Sequence, residues 1–164
     1  MTECNTVKTP MHPNTLLTAH GPNDPQGHVN QERYQHLVGS LLYLTVWTRP
    51  DLVFAVQQLA KWSHDPHEKH MQAGMHVLKY LKGTKHLGIT YTRGGPNGNR
   101  LLGLADADWA ACTTTRRSTS GYISTLNGGA LSWKCSQQKS VATSTSEAEY
   151  VSASRASDNV MFLR

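Results

Sequence analysis

Two carboxylates separated by one residue, Asp106 and Asp108, close an apolar stretch made of Leu101, Leu102, Leu104 and Trp109. In an extended strand residues two apart share a face, so both can project toward one site, and two like charges held together call for a cation. Hard oxygen ligands select Mg²⁺ or Mn²⁺ over zinc. The same pair also suits the solvated end of a strand or a turn cap. A second pair, Glu147 and Glu149, opens the last helical segment behind Thr145 and Ser146, where the helix N-terminus favours negative charge. Residues two apart on a helix diverge by about 200°, so at most one of these glutamates belongs in a shared site.

Other side chains carry weaker signals. His64, His67 and His70 form an H-x-x-H-x-x-H run, but Pro66 interrupts it and His64 precedes the helix start, so the three imidazoles make no single stripe. Lys79, Lys82, Lys85 and His86 crowd the C-terminal end of a helical segment, where the helix dipole and a phosphate backbone are equally suitable partners. Arg116 and Arg117 precede Ser118, Thr119 and Ser120 in a loop and suit phosphate contact. Ser140 to Ser146 is rich in hydroxyls, yet no nucleophile elbow or matching His and Asp surrounds it. Cys4, Cys112 and Cys135 are odd in number and lack a C-x-x-C pair, which argues against a disulfide framework or a zinc knuckle and for a reducing compartment.

The elements that must position these groups follow from periodicity. Up to residue 30 the chain is rich in Pro, Asn, Gly and His, with Pro10, Pro13, Pro22 and Pro25 opposing regular structure, and reads as a linker or extended arm. Tyr34, Leu37, Val38, Leu41 and Leu42 recur at helical spacing to about Val46. Pro50 suits the first turn of a second helix with Leu52, Val53, Val56, Leu59 and Ala60 on its apolar face. Asp65, Pro66 and Glu68 mark a third start, and Met71, Gly74, Met75, Leu78 and Leu81 line that helix until Gly83.

Beyond Gly83 the pattern becomes strand-like. Leu87, Ile89 and Tyr91 alternate, and Gly94-Gly95-Pro96-Asn97-Gly98 marks a domain boundary between about Arg93 and Arg100. Strands are expected at 101–109, 121–126 and 130–134, with Asn127-Gly128-Gly129 turning the last two, before a helix over 145–164. Trp47, Trp62, Trp109 and Trp133 each adjoin an apolar run and suit core or hinge packing. The reading is an α+β chain: an arm (1–30), a helical segment (31–93) and a strand-rich unit (100–164).

Composition bounds the partners. Over 164 residues, 38% are hydrophobic and 16% charged, with a net charge of +5, which suits ordered structure and is compatible with a nucleic-acid partner. Mean hydropathy is −0.48. Neither a signal peptide nor a membrane-spanning run is recognisable, so no membrane partner is expected.

Strand, hairpin and helix with Asp and Glu at these points resemble the start of the RNase H fold, and the wording is more specific. LADADWA (104–110), RRSTSGY (116–122), GGALSWK (128–134) and STSEAEY (144–150) look like the RNase H region of copia-type retrotransposon Pol polyproteins. TPMHPN (9–14), YQHLVGSLLYL (34–44), TRPDL (48–52) and VLKYLKGT (77–84) resemble the connection between reverse transcriptase and RNase H. The resemblance implies a helical connection segment followed by an incomplete RNase H-like domain. It makes Asp106 and Glu147 catalytic ligands of Mg²⁺ or Mn²⁺, and Lys79, Lys82, Lys85, Arg116 and Arg117 contacts to an RNA–DNA hybrid. The remainder of the Pol polyprotein becomes a partner, in an intracellular setting, either cytoplasmic element particles or the nucleus.

The family's next catalytic Asp follows a further strand, and this sequence stops at Arg164, so the expectation is an incomplete metal site without cleavage. Asp158 is no substitute, lying roughly 16 Å along the helix from Glu147. The competing expectations are a non-catalytic nucleic-acid-binding module and a degenerate element fragment.

Overall fold

The computed structural model describes residues 4–12, 15, 17–18, 29–94, 99–110, 112 and 115–164. These form four α-helices and one three-stranded antiparallel sheet, in two compact units, Met1–Gly88 and Ile89–Arg164. No helix among the described residues is long and apolar enough to cross a membrane. Pro13, Pro22, Pro25 and the turn at Gly95, Pro96, Asn97 and Gly98 lie outside the described residues.

In the first unit, α1 (Gln31–Trp47) starts where the Asn30 side chain accepts from the Arg33 amide at 2.9 Å, satisfying one orphan helix donor. Tyr34, Val38, Leu41 and Thr45 fall on its buried face. Pro50 opens a short 3₁₀ turn, Pro50–Leu52, that runs directly into α2 (Val53–Ala60). Leu52, Ala55, Val56 and Leu59 meet the α1 stripe, and the Tyr34 hydroxyl donates to the Leu59 carbonyl at 2.9 Å. Burial of that phenol raises its pKa to about 12, so it remains a donor throughout the physiological range.

The third helix, α3 (Glu68–Gly83), departs from expectation at its start. His67, not Asp65, is the N-cap, and the His67 amide donates to His70 Nδ1 at 2.9 Å, so an imidazole does the work expected of a carboxylate. Asp65 instead pairs with His67 Nε2 at 3.2 Å. The buried face is also rotated: His70, Gly74, Val77 and Tyr80 point inward, whereas Met71, Leu78 and Leu81 are only partly buried against the core. His70 is fully buried, stacked on Trp62 with ring centroids 4.8 Å apart.

Arg49 is the other buried polar group that organises this unit. Its guanidinium makes two bonds to Asp51 at 3.0 and 2.7 Å and two more to the Thr84 carbonyl and hydroxyl at 3.2 and 2.7 Å, over the face of Tyr80. One planar fork therefore joins the start of the 3₁₀ turn to the end of α3.

The leading arm is irregular, as its prolines require, but the described part lies on the helices. Lys82 Nζ donates to the Cys4 carbonyl at 2.7 Å, and His76 Nε2 and His70 Nε2 meet the Thr9 and Thr18 carbonyls at 3.0 and 3.2 Å. Val7, Met11 and Leu17 pack on the core.

In the second unit, β1 (Leu102–Asp108) pairs with β2 (Thr119–Leu126), and β2 pairs with β3 (Gly129–Gln137), in the order β1-β2-β3. Asn127 and Gly128, with φ of 52° and 81°, make the tight turn between β2 and β3, and positive φ at both positions is what such a two-residue hairpin requires. The strand expected at Leu87 to Tyr91 does not form. Tyr91 instead donates its hydroxyl to the Ala130 carbonyl at 2.6 Å, and one main-chain bond joins Thr92 to Asn127. A single bond cannot propagate a ladder.

Helix α4 (Thr145–Leu163) lies on one face of this sheet through Ala148, Ser152 and Ala156. Contact is close because the sheet offers small residues. A side chain at Gly103 would meet Val160 at 2.7 Å, and its strand partner Ser124 donates to Asn159 at 2.9 Å. The interior is correspondingly polar: Ser118, Ser120, Ser124, Gln138 and Ser152 are buried, while Leu102, Leu104 and Leu131 are exposed. Trp47 and Trp109 are exposed rather than packed in a core.

Candidate nucleic-acid and metal site

Alternation along β1 sorts its residues. Gly103, Ala105 and Ala107 face α4, so Asp106 and Asp108 share the opposite face with Leu102 and Leu104. The two carboxylates therefore do lie on one side of the strand. Among the described residues β1 has β2 on one side and no strand on the other, so Asp106 stands on an edge strand.

The first turn of α4 divides its two glutamates by task. Ser144 is the N-cap and its hydroxyl accepts from the Glu147 amide at 3.1 Å. One Glu147 oxygen in turn accepts from the Thr143 amide at 2.6 Å and the Thr143 hydroxyl at 2.7 Å. Those two donors, the hydroxyl first, hold the Glu147 carboxyl below the usual carboxylate range. Glu149 instead lines a shallow open cleft with Ala105, Thr145, Ser146, Tyr150 and Ala153, and Ala105 is the residue preceding Asp106.

Behind the cleft, Ser152 fixes the helix by donating to the Asp106 carbonyl at 2.6 Å and the Gly121 carbonyl at 3.2 Å. Gln138 Nε2 bonds Ser120 and the Ala148 carbonyl, at 2.7 and 3.0 Å. These seating residues carry no recognisable motif. Ser144 and Glu147 have capping-box spacing, but the Glu147 carboxylate reaches Thr143 and not the Ser144 amide.

The basic candidates fall in both units. Arg116 and Arg117 are exposed in the β1–β2 loop, where Arg116 N donates to the Cys112 carbonyl at 2.7 Å and Arg116 takes a φ of 55°. In the first unit Lys85 is exposed and Lys79 half-buried, while Lys82 bonds the arm at Cys4. No group of three or more His, Cys, Asp or Glu among the described residues is gathered tightly enough to hold a metal ion. His67 and His70 are instead occupied at the start of α3.

These features define a mixed α and β protein with acidic residues on an edge strand and at a helix start, and a basic loop beside them. No protein-family model and no solved structure matches the chain. It is 45% identical over 130 residues to secreted RxLR effector protein 161 of Plasmopara viticola, covering 79% of this chain and 90% of that protein. It is 40% identical over 158 residues to the retrovirus-related Pol polyprotein from transposon RE2 of Arabidopsis thaliana, covering 96% of this chain and 10% of the polyprotein. The Pol polyprotein from transposon TNT 1-94 of Nicotiana tabacum is 36% identical over 141 residues, again 10% of its length. The chain belongs to the retrotransposon Pol polyprotein family, as a segment equivalent to about a tenth of the length of the Pol polyproteins it matches.

Proposed function

We propose that this chain carries part of the ribonuclease H of a retrotransposon Pol polyprotein, with its first unit belonging to the connection from the reverse transcriptase. The substrate is an RNA–DNA hybrid. The observation that carries the reading is the arrangement of an edge strand bearing Asp106 with α4 seated on it through Ser152, whose hydroxyl donates to the Asp106 carbonyl. Asp106 and, as the resemblance implies, Glu147 are the carboxylates that would hold Mg²⁺ or Mn²⁺, which supplies an activated water when bound. Thr143 bonds one Glu147 oxygen and so fixes that carboxylate at the start of α4.

Two carboxylates are too few for a two-metal centre, since each ion needs several oxygens at about 2 Å. Further ligands have to come from another part of Pol, and a strand added to the open edge of β1 would bring them beside Asp106. By itself the chain binds hybrid without cleaving it. Arg116 and Arg117, exposed at the same end of the sheet as Asp108, favour the binding half of this reading even in the absence of chemistry.

The test is a metal-dependent cleavage assay on labelled RNA–DNA hybrid, comparing the chain with a version continued into the following Pol sequence of the transposon RE2 relative. Cleavage is expected only in the longer protein, lost in Asp106→Asn and Glu147→Gln and retained in Glu149→Gln and Asp158→Asn. Activity in the chain alone that disappears in Asp106→Asn would overturn the incomplete-site reading. A dead Glu149→Gln beside an active Glu147→Gln would reverse the two glutamates.

A further inference from the structure

Trp109 follows Asp108 at the end of β1 and is 43% exposed. An indole left in water normally costs apolar solvation and retains rotamer freedom. Here the freedom is removed, because Trp109 Nε1 donates to the Ala142 carbonyl at 3.0 Å. The polar edge is satisfied by the main chain while ring surface remains open to solvent, an arrangement suited to stacking.

The surroundings select what stacks. Ala110, next in the chain, has a φ of 52° and its amide donates to the buried Ser118 hydroxyl at 3.2 Å, closing a neck between Trp109 and Arg117. A second bond, from the Cys112 amide to the Arg117 carbonyl at 3.3 Å, narrows the loop beyond it. Arg116 and Arg117, exposed in the loop that this neck closes, flank Trp109 in the chain and supply two cations that suit phosphates. A neutral planar group with anionic connections on one side fits this order: a nucleic-acid base.

The other exposed aromatics of the second unit lack such flanks. Tyr91 is tied to Ala130 near the β2–β3 turn, and Tyr150 and Phe162 lie out on α4. We propose that Trp109 is a stacking platform for an unpaired base adjoining the hybrid, with Arg116 and Arg117 holding the phosphates beside it. This rests on the nucleic-acid reading above and adds a specific requirement, since bases inside a duplex are already stacked and only a single-stranded extension offers a free face.

The test uses the whole chain and two labelled RNA–DNA hybrids, one blunt and one with a single-stranded DNA extension, in a fluorescence anisotropy titration. The extended hybrid should bind about fivefold or more tightly than the blunt one, the scale of one aromatic–base stack. That ratio should persist as salt rises, although both affinities fall. Trp109→Leu should abolish the preference and leave blunt-hybrid binding unchanged, and Trp109→Phe should keep part of it.

A second measurement does not depend on a variant's folding: bromouracil in the extension should photocrosslink to the wild-type peptide containing Trp109. Equal binding of both hybrids, an undiminished preference in folded Trp109→Leu, or crosslinks only elsewhere would overturn the platform while the hybrid reading stands. Absence of binding to either hybrid at low salt would overturn both.

Discussion

Lowering the pH should destabilise the first unit through one residue. His70 is fully buried against Trp62, its Nδ1 accepts from the His67 amide, and its Nε2 therefore carries the proton offered to the Thr18 carbonyl. Burial first, with Lys69 nearby adding to it, pushes the imidazole down from 6.5 to about 4 against the Thr18 contact, which acts the other way. The folded state thus holds a neutral ring over a range where the unfolded chain protonates it.

Between about pH 6.5 and about pH 4 the unfolded state binds more protons, so this contribution is whole above 6.5 and drains away as the pH falls. At about 1.4 kcal/mol per pH unit the full term is about 3 kcal/mol, most of it gone by about pH 4.5. Urea unfolding followed by NMR resonances of α1 to α3 reads this unit alone. The comparison is with His70→Gln, which keeps an acceptor for the His67 amide but does not titrate. The wild type should lose about 2–3 kcal/mol more than the variant between about pH 7 and about pH 4.5. Parallel losses in the two proteins would refute the assignment.

Arg49→Ala should destabilise the first unit by about 1–3 kcal/mol in the same unfolding measurement, because it removes the buried fork that joins Asp51 to Thr84. Ser144→Ala should cost the second unit about 1 kcal/mol and fray the start of α4, seen as faster amide exchange at Glu147. Gly128→Ala, at a φ of 81°, should lower the second unit's stability by about 1 kcal/mol or more on chemical denaturation. Binding of blunt hybrid should weaken steeply with salt, and Arg116→Ala with Arg117→Ala should flatten that dependence by about one to two units of slope, as measured by anisotropy.

Helix periodicity located α1, α2 and α3 to within a few residues because their cores are aliphatic, but the buried face of α3 was misjudged. His70 and Tyr80 point inward with their polar atoms satisfied by partners that no local pattern reveals, whereas Met71 and Leu78 looked apolar enough to be core. The β2–β3 hairpin was legible from Asn127-Gly128 alone, since few residues tolerate that turn. Leu87 to Tyr91 alternates like a strand yet has no ladder partner, which periodicity cannot report. At the candidate site, Asp106 and Asp108 could be put on one face from their spacing. The different surroundings of Glu147 and Glu149 become visible only with the position of Thr143 and of the cleft. Core or hinge packing is what hydrophobicity suggests for Trp109, and hydrophobicity says nothing about which side of a ring meets solvent.

The small residues beneath α4 act as a key in a lock. Sliding the helix by one turn, about 5.4 Å, would carry Ser152 off both the Asp106 and Gly121 carbonyls and drive Val160 out of the gap left by Gly103. A helix held by interchangeable leucines has neighbouring seats of nearly equal energy; this one has a single seat. Gln138, Thr143 and Ser144, just ahead of it, bond to the same first turn, so the segment leading into α4 shares in fixing that seat and has little freedom to change length.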